Sequence, residues 1–183
     1  MGEIGKWCFC NGELTLVSSL GDFNTPADAP WYSLRNQITS VSCSGTRTVG
    51  KNAFKGYTNL TIIRSLLHQV NASAFENCSN LKTADLSEVT AIGANAFANT
   101  GLTAANLSSA TLISSNAFDG TPLTFITLGS SLTTIGMQAF RNTLQGSSNK
   151  IVVKGSAPTT PNDVFQGVTA ANVTLVVPAN VAN

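Results

Sequence analysis

The sequence predicts a strand-rich solenoid in which short repeats stack on one another. The first sign is a ladder of phenylalanines with steps of 21, 22, 21, 22 and 25 residues. Its members are Phe54, Phe75, Phe97, Phe118, Phe140 and Phe165. Alanine precedes the first five, and glycine or asparagine stands two residues after all six. A period of about 20–50 residues marks a solenoid, whose coils bury a continuous core only by stacking.

Each phenylalanine is predicted to lie in a single helical turn. Four residues before it stand small or polar residues that can cap a helix N-terminus: Gly50, Asn71, Gly93, Ser114 and Gly136. Two residues after it stand the types that tolerate positive φ: Gly56, Asn77, Asn99, Gly120, Asn142 and Gly167. Between these positions, alanine lets neighbouring coils approach closely while phenylalanine fills the core.

After each turn, the pattern L-x-x-a-x-L, in which a is apolar, predicts a short strand. It occurs at 81–86, 102–107 and 123–128, with degenerate copies at 60–65 and 38–43. Its last three positions alternate as they do in a strand with one buried face. A second pattern, with two apolar residues separated by two others, occurs at 67–70, 89–92 and 132–135 and predicts a second extended segment in each coil. Each coil therefore supplies one strand, a second short extended segment and one helical turn.

The composition bounds the partners of the chain. Its 183 residues suit one domain, and only 10% of them are charged, against about 25% in typical proteins. The net charge is +1 and lysine and arginine form no run, so nucleic acid is not the expected partner. No apolar stretch approaches about 20 residues, so the sequence contains no membrane span, and no signal-peptide pattern opens it.

The four cysteines favour unpaired structural thiols. Cys8, Cys10, Cys43 and Cys78 form no C-x-x-C pair and have no histidine at zinc spacing. On a strand, Cys8 and Cys10 would point to one face, which is a poor geometry for a disulfide between them. A partner for Cys8 or Cys10 elsewhere stays an alternative. We expect no metal site and no cofactor.

The repeat resembles the leucine-rich repeats of BspA-like bacterial surface proteins, most closely at residues 92–100 (IGANAFANT) and 135–143 (IGMQAFRNT). Cys78 stands where that family often has cysteine, so it should be structural. The resemblance implies a leucine-rich repeat solenoid, a right-handed coil of about 21–23 residues per repeat. Residues 7–16 resemble the family's leading β-hairpin, with Asn11-Gly12 as its turn, and residues 33–37 its short helix.

We therefore expect one continuous domain in three parts. Residues 1–37 form an N-terminal hairpin and helix cap, residues 38–148 form the leucine-rich repeat coils, and residues 149–183 form a closing coil. The closing coil lacks the aromatic-containing tail with which members of the family continue.

The resemblance also implies a non-enzymatic binding or adhesion module at the cell surface or outside the cell. The expected partner is an extracellular protein or glycan, held on the outward side of the parallel strands. The candidate ligand-facing positions are Ser40, Ser42, Ile62, Arg64, Thr83, Asp85, Asn106, Phe125 and Thr127. Among these, Arg64 should face Asp85 in a surface ion pair worth about 0–1 kcal/mol. Ile62 and Phe125 are exposed apolar groups or are partly covered by their neighbours.

Catalysis finds no support in the sequence, and we predict no catalytic residues. The single histidine, His68, falls at a solvent-facing repeat position, and the acidic residues are dispersed. No nucleophile elbow, Walker loop or zinc-protease motif is present. Two alternatives stay open: a structural spacer that displays another domain and, less favoured, a carbohydrate-active solenoid enzyme. The enzyme would need carboxylates about 5–10 Å apart in a cleft.

Overall fold

The computed structural model of the chain describes residues 7–17, 21–43, 48–156, 158 and 160–177. Short strands recur in every coil: β1 (Trp7–Cys10), β2 (Glu13–Leu16), β3 (Ser40–Cys43), β4 (Thr48–Val49), β5 (Ile62–Ile63), β6 (Gln69–Val70), β7 (Thr83–Ala84), β8 (Ala91–Ile92), β9 (Ala104–Leu107), β10 (Leu112–Ile113), β11 (Phe125–Leu128), β12 (Thr134–Ile135), β13 (Asn149–Val153) and β14 (Val173–Val176). The helical segments are 3-10 turns at Pro26–Asp28, Tyr32–Leu34 and Ala170–Asn172.

The strands of successive coils line up in two columns. The first column forms one sheet in the order β1-β2-β3-β5-β7 and a second in the order β9-β11-β13-β14. The second column forms a sheet in the order β4-β6-β8-β10-β12. All pairs are parallel except the hairpin of β1 and β2. The leucine-rich repeat solenoid and its two extended segments per coil are thereby confirmed.

The phenylalanine ladder is a continuous stack of rings inside the solenoid. Consecutive rings from Phe54 to Phe165 lie 5.3–5.4 Å apart between centroids and within 12° of parallel. The first five rings are fully buried, as are the alanines before Phe54, Phe75, Phe97, Phe118 and Phe140. Trp31 extends the stack by one ring, 5.6 Å from Phe54, and its indole N–H donates to the carbonyl of Ala53. This stack forms the axis of the core.

The segment around each phenylalanine differs from the predicted helical turn. In the central coil, Asn95 and Asn99, on either side of Phe97, both have positive φ, at 56° and 55°. The N–H of Phe97 donates across the coil boundary to the carbonyl of Ala117 at 2.8 Å. The same alternate N–H groups donate to the following coil in the other inner repeats. The segment is a run of turns because these donors are used between coils instead of along a helix.

The prediction of positive φ two residues after each phenylalanine is confirmed at all six positions. At two of these positions the side chain of the preceding coil excludes any residue but glycine. A Cβ at Gly120 would lie 2.5 Å from the side-chain oxygen of Asn99, which is closer than real contacts allow. Asn99 itself donates a hydrogen bond to the side-chain oxygen of Asn77 at 3.0 Å. Glycine is therefore required at Gly120, and likewise at Gly167, where a Cβ would lie 2.4 Å from the side-chain oxygen of Asn142.

The N-terminal hairpin forms as predicted. Asn11 and Gly12 have φ of 48° and 82°, the values of a tight hairpin turn, and β2 pairs in parallel with β3. The predicted short helix is reduced to the 3-10 turn at Tyr32–Leu34. Asp22 accepts hydrogen bonds from the backbone N–H of Lys51 at 2.7 Å and from the Asn71 amide at 2.8 Å. The hairpin and the stretch from Asp22 to Leu34 pack on the first coil.

Candidate ligand-binding face

The outward face consists of the side chains on the first strand column that alternate with the core residues. In β9, Ala104 and Asn106 are exposed while Ala105 and Leu107 are buried. In β11, the inward Ile126 is fully buried. The core needs apolar residues at the inward positions only, so the outward positions are free to vary with function.

Strand register arranges the outward face in rows, one residue per coil. In the N-terminal sheet, Ser40 pairs with Ile62 and Ile62 with Thr83. In the C-terminal sheet, Phe125 lies between Ala104 and Lys150, and Thr127 lies between Asn106 and Val152. The structure therefore divides the predicted site residues into an N-terminal group and a C-terminal group.

The two sheets continue the outward face beyond the predicted positions. Glu13 and Thr15 of the hairpin extend it at one end, and the Thr15 hydroxyl lies 3.1 Å from that of Ser42. Lys150 and Thr174 extend it at the other end. The prediction of a cap does not place these two positions on the outward face, although Glu13 and Thr15 alternate with Leu14 and Leu16, the sequence signal for an outward face.

Two of the predicted ligand-facing residues are buried. Ser40 is 7% exposed and Thr127 is 8% exposed. Each is a short hydroxyl side chain with a neighbour on both sides of its row: Glu13 and Ile62 flank Ser40, while Asn106 and Val152 flank Thr127. Strands lie about 4.8 Å apart, so side chains on both neighbouring strands can cover a short side chain between them. The expectation that these two residues are exposed is wrong.

The predicted ion pair between Arg64 and Asp85 does not form. The Asp85 carboxylate instead accepts hydrogen bonds from the Ser87 hydroxyl at 2.6 Å and from the Ser87 backbone N–H at 3.0 Å. These two bonds lower the pKa of Asp85. A partner two residues away competes well because it requires little ordering of long side chains. Arg64 and Asp85 are both exposed, so each is accessible to a ligand.

The two apolar residues of the outward face are separate. Phe125 is 39% exposed, whereas Ile62 is half-buried. In the repeat, Thr83 and Ala104 occupy the two rungs between them. The Lys150 ammonium lies 5.9 Å from the centroid of the Phe125 ring, at the outer range of a cation–π contact. The outward face therefore has one exposed aromatic ring beside one cation, in surroundings that are otherwise largely uncharged.

The remaining reactive side chains form no site in the described residues. The cysteines there are free thiols, with Cys8 and Cys10 exposed. Cys78 is fully buried and donates through sulfur to the carbonyl of Phe54, as expected of a structural thiol. His68 is exposed. No three histidine, cysteine or acidic side chains in this part of the chain could hold a metal ion.

The repeat matches a known protein family. The model of the BspA type Leucine rich repeat region matches six copies within residues 31–147, which is more than half of the chain. None of the curated proteins matches the chain. No helix in the described part of the chain has the length and apolar character needed to cross a membrane.

Three solved structures of bacterial leucine-rich repeat proteins are similar to the chain, and the first two share its fold. One from Eubacterium ventriosum ATCC 27560 is 27% identical with a TM-score of 0.55, covering 94% of this chain and 41% of that protein. One from Bacteroides ovatus ATCC 8483 is 17% identical with a TM-score of 0.61, covering 88% and 49%. A leucine rich cell surface protein from Faecalibacterium prausnitzii A2-165 is 16% identical with a TM-score of 0.47, covering 97% and 69%. The chain thus spans less than half the length of the first two.

Proposed function

The chain belongs to the BspA-type leucine-rich repeat family, and from this premise we propose that it is a non-catalytic binding module. It is displayed at the cell surface or secreted, and it holds an extracellular protein or glycan on its outward face. The family model describes a leucine-rich repeat region and two of the similar solved structures are leucine-rich repeat proteins, which supports the non-catalytic part of the proposal.

The observation that carries the proposal is the contrast between the two sides of the first strand column. The inward positions are all apolar, and all but the half-buried Ala84 are buried: Val41, Ile63, Ala105 and Ile126. The outward positions change from coil to coil, and most of them are open to solvent: Arg64, Thr83, Asp85, Asn106 and Phe125. Side chains that the fold does not require, arrayed at fixed spacing on a rigid sheet, suit recognition of an extended ligand.

A binding assay on immobilised fibronectin, laminin, collagen and mucin tests the proposal. The wild-type chain should bind at least one of them, and the outward variants Thr83→Arg and Phe125→Ala should weaken that binding about tenfold. Met137→Ala is the matched control because Met137 is 57% exposed but lies outside the first strand column. If the chain binds none of the four proteins, the structural spacer is favoured. If all variants bind as well as the wild type, the outward face is not the binding site.

A further inference from the structure

We propose that the C-terminal part of the outward face is a glycan-binding site, with the Phe125 ring as a platform for one sugar and an adjoining polar groove for the next. This inference rests on the proposed function and names its ligand class. It combines two observations: an exposed ring with one uncovered side, and an adjoining groove lined by hydroxyl and amide groups.

The Phe125 ring is available on the side of Ala104. Phe125 is 39% exposed, and its row neighbours are Ala104 on one strand and Lys150 on the other. The methyl group of Ala104 is too short to cover the ring, whereas the Lys150 ammonium approaches it from the other side. The C–H face of a sugar ring packs against such an aromatic surface while its hydroxyls stay free for hydrogen bonds.

The groove begins at the next rung of the same row. It has a volume of about 410 Å³ and lies at the starts of β13 and β14, so it is large enough for a sugar. Its polar lining residues are Ser147, Ser148, Asn149, Lys150, Asn172 and Thr174. These side chains offer hydroxyl, amide and ammonium groups, and Lys150 carries the single charge of the lining. This lining matches a hydroxyl-rich ligand better than an acidic or basic peptide.

Asn149 holds the wall of the groove in place. The residue is 1% exposed, and its amide nitrogen donates to the carbonyls of Leu144 at 2.6 Å and Gly146 at 2.7 Å. These two bonds tie the segment that carries Ser147 and Ser148 to the start of β13. The groove wall is therefore formed before a ligand arrives, which lowers the entropic cost of binding.

The arrangement of the two subsites favours a chain over a single sugar. Phe125 and Lys150 are direct partners in the register of β11 and β13, and Lys150 pairs in turn with Thr174 on β14. A glycan lying across the strands would therefore meet the ring first and the groove next. We expect an oligosaccharide to bind more tightly than its monosaccharide, because only the oligosaccharide reaches both.

Amide shifts in the ¹⁵N-labelled chain test the inference. The probes are xylotriose, maltotriose, N-acetyllactosamine and a hyaluronan tetrasaccharide. At least one should shift the amides of Phe125, residues 147–150 and residues 172–174. Phe125→Ala should weaken that binding about tenfold, while Met137→Ala, at an exposed residue outside the first strand column, should leave it unchanged.

Two results would overturn the inference: no shift at these amides with any probe, or shifts that persist unchanged in Phe125→Ala. The broader function is tested separately. If the chain binds an immobilised protein and Thr83→Arg abolishes that binding while no probe shifts the groove, the binding module stands and its glycan site fails. If neither experiment detects binding, both fail.

Discussion

Removing one ring from the middle of the phenylalanine stack should destabilise the solenoid far more than removing the last ring. Phe118 is fully buried and has a stacked ring 5.4 Å away on each side. Truncation of a buried phenylalanine costs about 3–5 kcal/mol, and this site should lie in the upper half of that range because two ring contacts are lost. Phe165 is half-buried and stacks on Phe140 alone, so Phe165→Ala should cost about 1–3 kcal/mol.

Urea unfolding followed by far-UV circular dichroism measures both free energies of unfolding. Phe125→Ala is the matched control, because Phe125 is 39% exposed and faces outward. That substitution should change the free energy by no more than about 0.5–1 kcal/mol. The reasoning would be refuted if Phe118→Ala cost less than about 2 kcal/mol, or if it cost no more than Phe165→Ala. An altered denaturant slope would show that the solenoid unfolds in parts, as repeat proteins can.

Two further predictions concern the coil boundary and the thiols. Gly120→Ala should lower the free energy of unfolding by about 1–3 kcal/mol, because φ is +65° there and the new Cβ would meet the Asn99 oxygen. Adding Asn99→Gly should recover part of this loss in urea unfolding. If the effects of the two changes are simply additive, the contact between these residues is contradicted. Ellman's reagent should modify two thiols quickly at pH 8, Cys8 and Cys10, and the others only in denaturant. Burial raises the pKa of Cys43 to about 11, so very little of this thiol is ionised at the pH of the assay. Fast modification of more than two thiols in the native chain would contradict the assignment of Cys8 and Cys10 as the reactive pair.

The repeat could be predicted because the inward positions recur for a physical reason. Every coil must present the same apolar surface to its neighbours, so the alanine, phenylalanine and leucine positions keep their spacing. The glycine or asparagine column was equally informative, since a positive φ restricts the residue types that can stand there. Trp31 could have been included in the stack: it precedes Phe54 by 23 residues, within the spacing of the ladder, but it is not a phenylalanine.

The local form of the turn could not be predicted from the same residues. Asparagine, alanine, phenylalanine and glycine fit a capped helical turn as well as the turns that form. The decision is made by hydrogen bonds between coils, such as that from Phe97 N–H to the carbonyl of Ala117, which use the donors that a helix would need. Such bonds depend on the neighbouring coil, and a single repeat does not contain that information.

The candidate face was predicted in outline but not in its contacts. Alternation along each strand identified the outward positions, and Thr83, Asn106 and Phe125 are indeed exposed. Burial of Ser40 and Thr127 depends on the side chains that flank them on the neighbouring strands, which the pattern of a single repeat does not include. The groove beside Lys150 depends on how the closing coil meets β13, and the repeat pattern does not describe that junction.

In this account, the inward side chains stabilise the fold while the outward side chains serve recognition. A scan of all single substitutions, scored by protease resistance of the displayed chain, tests this claim most directly. The account predicts that polar substitutions at Phe97 and Phe118 abolish resistance. Most substitutions at the outward positions Thr83, Asn106 and Phe125 should leave resistance near that of the wild type. The account would be contradicted if the outward positions proved as intolerant as the phenylalanine stack, because those side chains would then serve the fold and not recognition.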